Sequence, residues 1–217
     1  MGLTVVSTPI GHYDDITLRA IESLRKAQAI ICEERKPASI LLKKLEIPEP
    51  PLWELNEHSR SQDLQELLEL CRSQNVCLVS DCGTPAFCDP GAALVDACLK
   101  EKIPVDVNPG PSSLMALLSV AGVELKQFYF VGFLPAEKGE RSKKMADLKN
   151  IKVPVVIMDT PYRLQATLQE LAAELAGRKA VLGVDLTGGQ QQVARDSMKN
   201  LASRNWPKLP FVLLIQP

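Results

Sequence analysis

The sequence predicts an α/β protein of two domains, the first built on a parallel sheet. Three observations carry this. Short apolar, strand-like runs alternate with helical segments through the first half of the chain. The stretch Ser80–Gly91, rich in Gly, Pro and Asp, links the strand-like Val76–Val79 to the helical Ala92–Leu99, the pattern of half a βαβ unit. Asn108-Pro109-Gly110-Pro111-Ser112 is the strongest punctuation in the 217 residues, and it sets a domain boundary with residues 1–110 before it and 111–217 after it.

The elements follow in order. Leu3–Ser7 reads as a buried first strand, followed by the loop Thr8-Pro9-Ile10-Gly11-His12. Asp14 or Asp15 can cap the next helix, whose apolar stripe is Leu18, Ile21 and Leu24. Ala29–Cys32 is a second strand ending at Glu33-Glu34, and Pro37 suits the first turn of a short helix through Leu45. Leu52–Leu55 is a third strand. Leu64, Leu67, Leu68 and Cys71, at i, i+3, i+4 and i+7, make 61–72 an amphipathic helix. The Val76 strand, its loop and a helix through Lys100 lead to a fifth strand at 104–107. In the second half Ser112 or Ser113 caps a helix through Ala121. Strands are expected at 128–133, 153–158, 180–186 and 211–215. Gly139–Leu148 reads as a polar helix, and Leu164, Leu168, Leu171 and Leu175 line one face of another.

Composition narrows the function. Hydrophobic residues make up 46%, enough for a core and too many for a disordered chain. No segment approaches the roughly eighteen apolar residues of a membrane span, and the N-terminus lacks signal-peptide regions, so a cytoplasmic protein is expected. Six cysteines without a Cys-x-x-Cys pair, and only His12 and His58 beside them, argue against a zinc site and for reduced core thiols. No Gly-x-Gly-x-x-Gly follows the first strand and no phosphate-binding Gly-x-x-x-x-Gly-Lys occurs, which removes the common nucleotide fingerprints. The absence of Gly-x-Ser-x-Gly argues against a serine hydrolase. His12 reads as a solvated loop histidine.

What remains is a set of loops at strand ends: Thr8–Gly11, Glu33–Arg35, Ser80–Gly91 and Pro109–Ser113. Strands of a parallel sheet all point one way, so these loops share one edge. Together they offer small hydroxyls, backbone groups and the carboxylates of Asp15, Glu33 and Asp81, a surface suited to a polar, nucleoside-like ligand.

At these loops the chain resembles a known family. Ser7-Thr8-Pro9-Ile10-Gly11-His12-Tyr13-Asp14-Asp15-Ile16-Thr17 is similar to the opening of the tetrapyrrole methylase superfamily, in particular its branch of bacterial small-subunit ribosomal RNA cytidine 2′-O-methyltransferases. Ser80–Pro85 with Cys88-Asp89-Pro90-Gly91, Pro109–Leu114, Gly132–Pro135 with Lys138–Arg141, and Thr160–Leu164 add further matches in order over nearly the whole chain. The resemblance implies a two-domain fold, an N-terminal parallel sheet with helices on both faces and a C-terminal α/β domain with a mixed sheet. It also implies a homodimeric methyltransferase holding S-adenosylmethionine in a cleft between the domains. Carried over residue by residue, the cofactor set is Pro9, Asp81, Gly83, Thr84, Ser112 and Ser113, with Thr160, Leu186 and Thr187 from the second domain. The chain departs from the family at Cys32-Glu33-Glu34-Arg35-Lys36 and at His12, and it stops at Pro217 without the further segment usual in that branch.

The acceptor stays open between an RNA ribose hydroxyl and a small molecule such as a tetrapyrrole. A protein that binds the cofactor without turnover is the second reading, and a different nucleotide-dependent α/β enzyme, disfavoured by the absent phosphate loops, is the third. Charge favours RNA: residues 1–110 hold 11 Lys/Arg against 17 Asp/Glu, a net −6, whereas residues 111–217 hold 14 against 9, a net +5. Lys138, Arg141, Lys143 and Lys144 lie in the densest basic run and are the candidate phosphate contacts. Methyl transfer to a hydroxyl benefits from a general base, for which Asp15, Glu33, Glu34 and Asp81 are the candidates.

Overall fold

A computed structural model describes all of residues 1–217, which form two compact units, Met1–Ser112 and Ser113–Pro217. In the first unit the elements are β1 (Gly2–Val6), α1 (Leu18–Lys26), β2 (Ala29–Cys32), α2 (Arg35–Lys44), β3 (Leu52–Glu54), α3 (Ser61–Ser73), β4 (Asn75–Leu78), α4 (Gly91–Lys100) and β5 (Val105–Asn108). The five strands make one parallel sheet in the order β3-β2-β4-β1-β5.

Side chains alternate across a strand, so a sheet covered on both faces needs apolar residues at nearly every position. β2, all buried, shows how. Ala29 and Ile31 join Leu67, Leu68 and Cys71 of α3 and Leu94 and Cys98 of α4 on one face. Ile30 and Cys32 join Ala20 and Leu24 of α1 and Ala38 and Leu42 of α2 on the other. β4 divides the same way, Val76 and Leu78 against Cys77. Four of the six cysteines are buried, and burial pushes the thiols of Cys32, Cys71 and Cys77 up to about 12, so they pack as small hydrophobes. Cys82 and Cys88, on the β4 loop, are exposed.

One capping expectation is corrected. Asp14 and Asp15 lie in a separate short turn, Tyr13–Asp15, capped by His12, whose Nδ1 accepts from Asp14 N at 3.2 Å. The helix α1 is capped by Thr17, whose Oγ1 accepts from Ala20 N at 3.2 Å. A Thr two residues beyond the aspartates provides the same acceptor and lets the chain turn first.

The second unit runs α5 (Ser113–Val120), β6 (Tyr129–Phe133), α6 (Lys138–Asp147), β7 (Val155–Asp159), α7 (Leu164–Leu175), β8 (Lys179–Val184), β9 (Gln192–Ser197), α8 (Met198–Ser203) and β10 (Phe211–Ile215). Its sheet is mixed, in the order β6-β7-β10-β8-β9, with β6 and β7 parallel and the other pairs antiparallel. The four leucines of α7 pack with Met145 of α6 and Met198 of α8 on one face. On the other, Leu117 of α5 comes so close to Gly183 that a Cβ there would lie 2.9 Å from its Cδ1. β9 and α8 were not expected. Gln-Val-Ala-Arg-Asp-Ser has no apolar run, because β9 is an edge strand paired only with β8 and mostly solvent-facing. No helix is long and apolar enough to cross a membrane.

Candidate functional site

β1 and β4 are neighbours, yet the chain leaves them toward opposite faces of the sheet, β1 running on to α1 and β4 to α4. Loops that part in this way open a crevice at the carboxyl edge, where open parallel sheets hold ligands. The crevice walls are the β1, β2 and β4 loops, and the β5 loop lies on the far side of β1.

Buried hydroxyls knit the walls together. Thr8 N donates to Gly83 O at 2.8 Å, and Thr8 Oγ1 lies 3.1 Å from Ser80 O and 3.3 Å from Gly83 O. Thr84 Oγ1 donates to Pro111 O at 3.2 Å, a pure acceptor, which leaves Ser7 Oγ as the donor in the 2.9 Å Ser7–Thr84 bond. Two glycines are sterically required. Gly83 has φ +86°, and a Cβ on Gly110 would lie 2.9 Å from Ser7 Cβ. Further along the same loop Ala86 and Cys88 adopt φ of 62° and 65°, a costly backbone for residues with a Cβ. Asp89 holds them there, its Oδ1 accepting from both Ala86 N and Gly91 N at 2.8 Å. Ser7, Thr8 and Asp89 therefore build the site, although none was singled out as a site residue. The role of Asp89 lies in bridging Ala86 N and Gly91 N across the strained Ala86 and Cys88, a geometry that no sequence pattern displays.

Three of the four carboxylate candidates meet. Asp81 N donates to Glu33 Oε2 and Glu34 N donates to Asp81 Oδ1, each at 3.3 Å, a reciprocal clasp between the ends of β2 and β4. Partial burial pushes the Glu33 carboxyl above its ordinary 4.5, against the pull of the Asp81 N–H and with the help of the Asp81 charge. Burial likewise raises Asp81 above 3.8, opposed by the Glu34 N–H and aided by the Glu34 charge. Asp15 stays in its exposed turn and contributes nothing to the clasp.

The sign of the resulting linkage is definite. A carboxyl whose folded pKa is raised binds its proton more tightly in the native state, so its ionised form costs stability above that pKa and the cost vanishes as pH falls below 4.5. Glu33→Gln keeps an acceptor for Asp81 N and removes the charge. It should melt slightly above the wild type at pH 7, with the difference closing toward pH 4 (about half a unit below the ordinary value). Thermal melts across this range check it, and a variant less stable at pH 7 would show that the charge is favourable.

The second unit has its own ordered loops. Asp159, at the end of β7, has a fully buried side chain. Its Oδ1 accepts from Thr160 N at 2.8 Å and pairs with Arg163 Nη2 at 2.9 Å, and its Oδ2 meets Arg141 Nη1 and Thr167 Oγ1, both at 3.0 Å. Thr160 is thus held by a network. After β8, Leu186 is buried and Thr187 adopts φ 62° with its N–H donated to Gln191 Oε1 at 2.6 Å.

Arg141 requires a correction. Expected among the phosphate contacts, it is buried on α6, with Nε on Glu170 at 2.7 Å and Nη2 on Thr167 at 2.6 Å besides its Asp159 pair. Its charge is consumed inside the unit. Lys138 and Lys143 are exposed, and Lys144 lies over the Tyr129 ring at 5.4 Å while donating to its hydroxyl. A sequence lists four cations in seven residues, but helix periodicity turns one of them into the core.

A five-stranded parallel sheet with its crevice at the β1–β4 switch, followed by a mixed five-stranded unit, defines a class of two-unit α/β enzymes that bind a nucleoside-like cofactor without a glycine-rich fingerprint. Residues 2–202 match the family described as Tetrapyrrole (Corrin/Porphyrin) Methylases, and the chain belongs to that family. It is a methyltransferase with S-adenosylmethionine as its cofactor. Over 210 residues it is 34% identical to a ribosomal RNA small subunit methyltransferase I of Thermotoga maritima, covering 96% of this chain and 94% of that protein. It is 40% identical over 186 residues to the protein of that name from Neisseria meningitidis serogroup B, covering 85% of this chain and 64% of the other. Among solved structures, diphthine synthase superposes with a TM-score of 0.77 at 16% identity, covering all of this chain and 90% of the other. The uroporphyrin-III C-methyl transferase of Thermus thermophilus, solved with S-adenyl homocysteine, gives 0.68 at 16% identity, covering all of this chain and 97% of the other. These last two share the fold.

Proposed function

We propose that this chain methylates a ribose hydroxyl of small-subunit ribosomal RNA. The observation that carries the reading is the similarity, over nearly its full length, to proteins named for that RNA. Pro9, Asp81, Gly83, Thr84, Ser112 and Ser113 are the proposed cofactor contacts, with Thr160, Leu186 and Thr187 of the second unit. Of these, Pro9, Asp81, Gly83 and Thr84 stand on or beside the knit β1, β4 and β5 loops. When bound, S-adenosylmethionine supplies an electrophilic methyl carbon, so the protein's task is to align the acceptor oxygen with it and to take up a proton. The Glu33–Asp81–Glu34 clasp is the proposed seat of that base.

Lys138, Lys143 and Lys144 are the proposed phosphate contacts. Screening confines each charge to roughly 8–10 Å at physiological salt, so a local cluster acts despite a net charge of −1. Changing all three to Gln should weaken RNA binding and lower the slope of log affinity against log salt by about two to three. Affinity for S-adenosylmethionine should stay within about twofold, because no cofactor contact is touched. Filter binding over a salt series checks this. An unchanged slope would turn the acceptor reading toward a small molecule.

The proposed working form is a cytoplasmic homodimer. β5 is an edge strand of the first sheet, its Val107 is 57% exposed and accepts at O from Arg19 Nη2 at 3.2 Å, and the neighbouring Leu18 of α1 is 86% exposed. Light scattering at micromolar concentration tests it, and a monomer there would remove the proposal.

A further inference from the structure

The two oxygens of Asp159, at the end of β7, serve different neighbours. Oδ2 meets Arg141 Nη1 and Thr167 Oγ1, and both of those residues are buried. Oδ1 serves the loop that leaves β7. It accepts from Thr160 N at 2.8 Å and pairs with Arg163 Nη2 at 2.9 Å, and the Arg163 side chain is 31% exposed. One carboxylate thus ties the core of the second unit to the loop that carries Thr160.

Arg163 reaches every polar group of Thr160, directly or through Asp159. Its backbone N–H donates to Thr160 O at 2.9 Å, closing the single turn Pro161–Arg163. Its Nε donates to Thr160 Oγ1 at 3.4 Å, and its Nη2 holds the carboxylate that accepts from Thr160 N. Between them Pro161 has a fixed φ and no N–H, so the turn has little freedom of its own. A guanidinium only donates, so Thr160 Oγ1 is the acceptor in that bond and keeps its own proton to give. The Thr160 carbonyl likewise keeps a second lone pair. Thr160 can therefore offer a ligand one donor and one acceptor, both aimed by the same arginine.

We propose that Arg163 is a positioning residue for S-adenosylmethionine, acting through Asp159 and Thr160 to fix the donor and acceptor that Thr160 presents to the cofactor. This rests on the reading of Thr160 as a cofactor contact given above. Two observations separate the role from plain neutralisation of Asp159. Arg141 already pairs with that carboxylate and is the more buried of the two cations. Arg163 instead directs Nε at a neutral hydroxyl, a contact that orients the loop and compensates no charge. The two arginines divide the work, Arg141 holding the unit together and Arg163 holding the loop in place.

The test uses the full chain, with calorimetry for S-adenosylmethionine and urea unfolding for stability. Arg163→Ala should weaken cofactor binding about 10-fold or more, because a contact free to shift by about 1 Å loses most of its value. Its urea midpoint should fall by less than half as much as that of Arg141→Met. Asp159 keeps Arg141, Thr167 and Thr160 N, and water can enter where the exposed Arg163 stood. Arg163→Lys returns a cation to Asp159, but an ammonium is a point charge and cannot hold Asp159 Oδ1 and Thr160 Oγ1 together as the guanidinium fork does. It should restore the midpoint to that of the wild type and leave binding about 3- to 10-fold weak. That split marks positioning, since a merely structural arginine would let affinity recover along with stability. Wild-type affinity in either Arg163→Ala or Arg163→Lys would overturn the proposal. Should Arg163→Ala fail to fold, Arg163→Lys decides alone. Thr160→Trp tests the reading underneath. Lost binding there beside normal binding in Arg163→Ala overturns the proposal only, whereas normal binding in Thr160→Trp removes Thr160 from the cofactor site.

Discussion

Thr84→Trp is expected to abolish S-adenosylmethionine binding while the protein still folds. Thr84 is half-buried at the point where three loops converge, its hydroxyl receiving from Ser7 and donating to Pro111 O. An indole here would project into the space proposed for the cofactor. Its cost to the fold is about two lost hydrogen bonds, each contributing about 1 kcal/mol, in a loop rather than in either core cluster. Thr84→Ser retains both bonds and should bind within about threefold of the wild type, since the lost methyl is worth under 1 kcal/mol. Titration calorimetry decides the matter. Normal binding by Thr84→Trp would remove the β4 loop from the cofactor site, and loss of binding by Thr84→Ser would point to a structural collapse of the loop.

Arg141→Met is expected to destabilise the second unit severely. It leaves the buried Asp159 carboxylate without one of its two cations and Thr167 Oγ1 without its donor. Breaking one partner of a buried pair costs about 3–5 kcal/mol, because the remaining charge stays desolvated. In urea this moves the midpoint down by roughly 1–5 M for ordinary slopes of about 1–3 kcal/mol/M. Arg141→Lys should recover part of the loss. It restores a charge but cannot reach Asp159, Glu170 and Thr167 together as the guanidinium fork does. Because Asp159 also holds Thr160 N, the variants that remain folded should bind the cofactor more weakly. A midpoint equal to the wild type would mean that Arg163 alone satisfies Asp159.

The same residue shows where sequence reasoning stops. Lys138, Arg141, Lys143 and Lys144 are alike as letters in a basic run. Only the packing of α6 on α7 decides that Arg141 faces Asp159 and Glu170 while Lys138 and Lys143 face water.

The sequence by itself determined the parallel first sheet, the loops at its carboxyl edge and the family, because these are written in local signals. Apolar runs mark buried strands, Gly-Pro clusters mark turns, and short loop motifs keep the same order along the chain. It also determined that α7 carries its leucines on one face. Tertiary structure alone decided the strand order β3-β2-β4-β1-β5, which puts β1 beside β4 and opens the crevice between loops far apart in sequence. It decided that Thr17 rather than an aspartate caps α1, and that polar β9 is a strand because β8 offers it an edge. It also joined Glu33, Glu34 and Asp81 while leaving Asp15 outside. The physical reason is common to all of these. Local patterns report how a segment buries its own side chains, whereas hydrogen bonds between loops about 47 residues apart form only once the sheet has set their spacing.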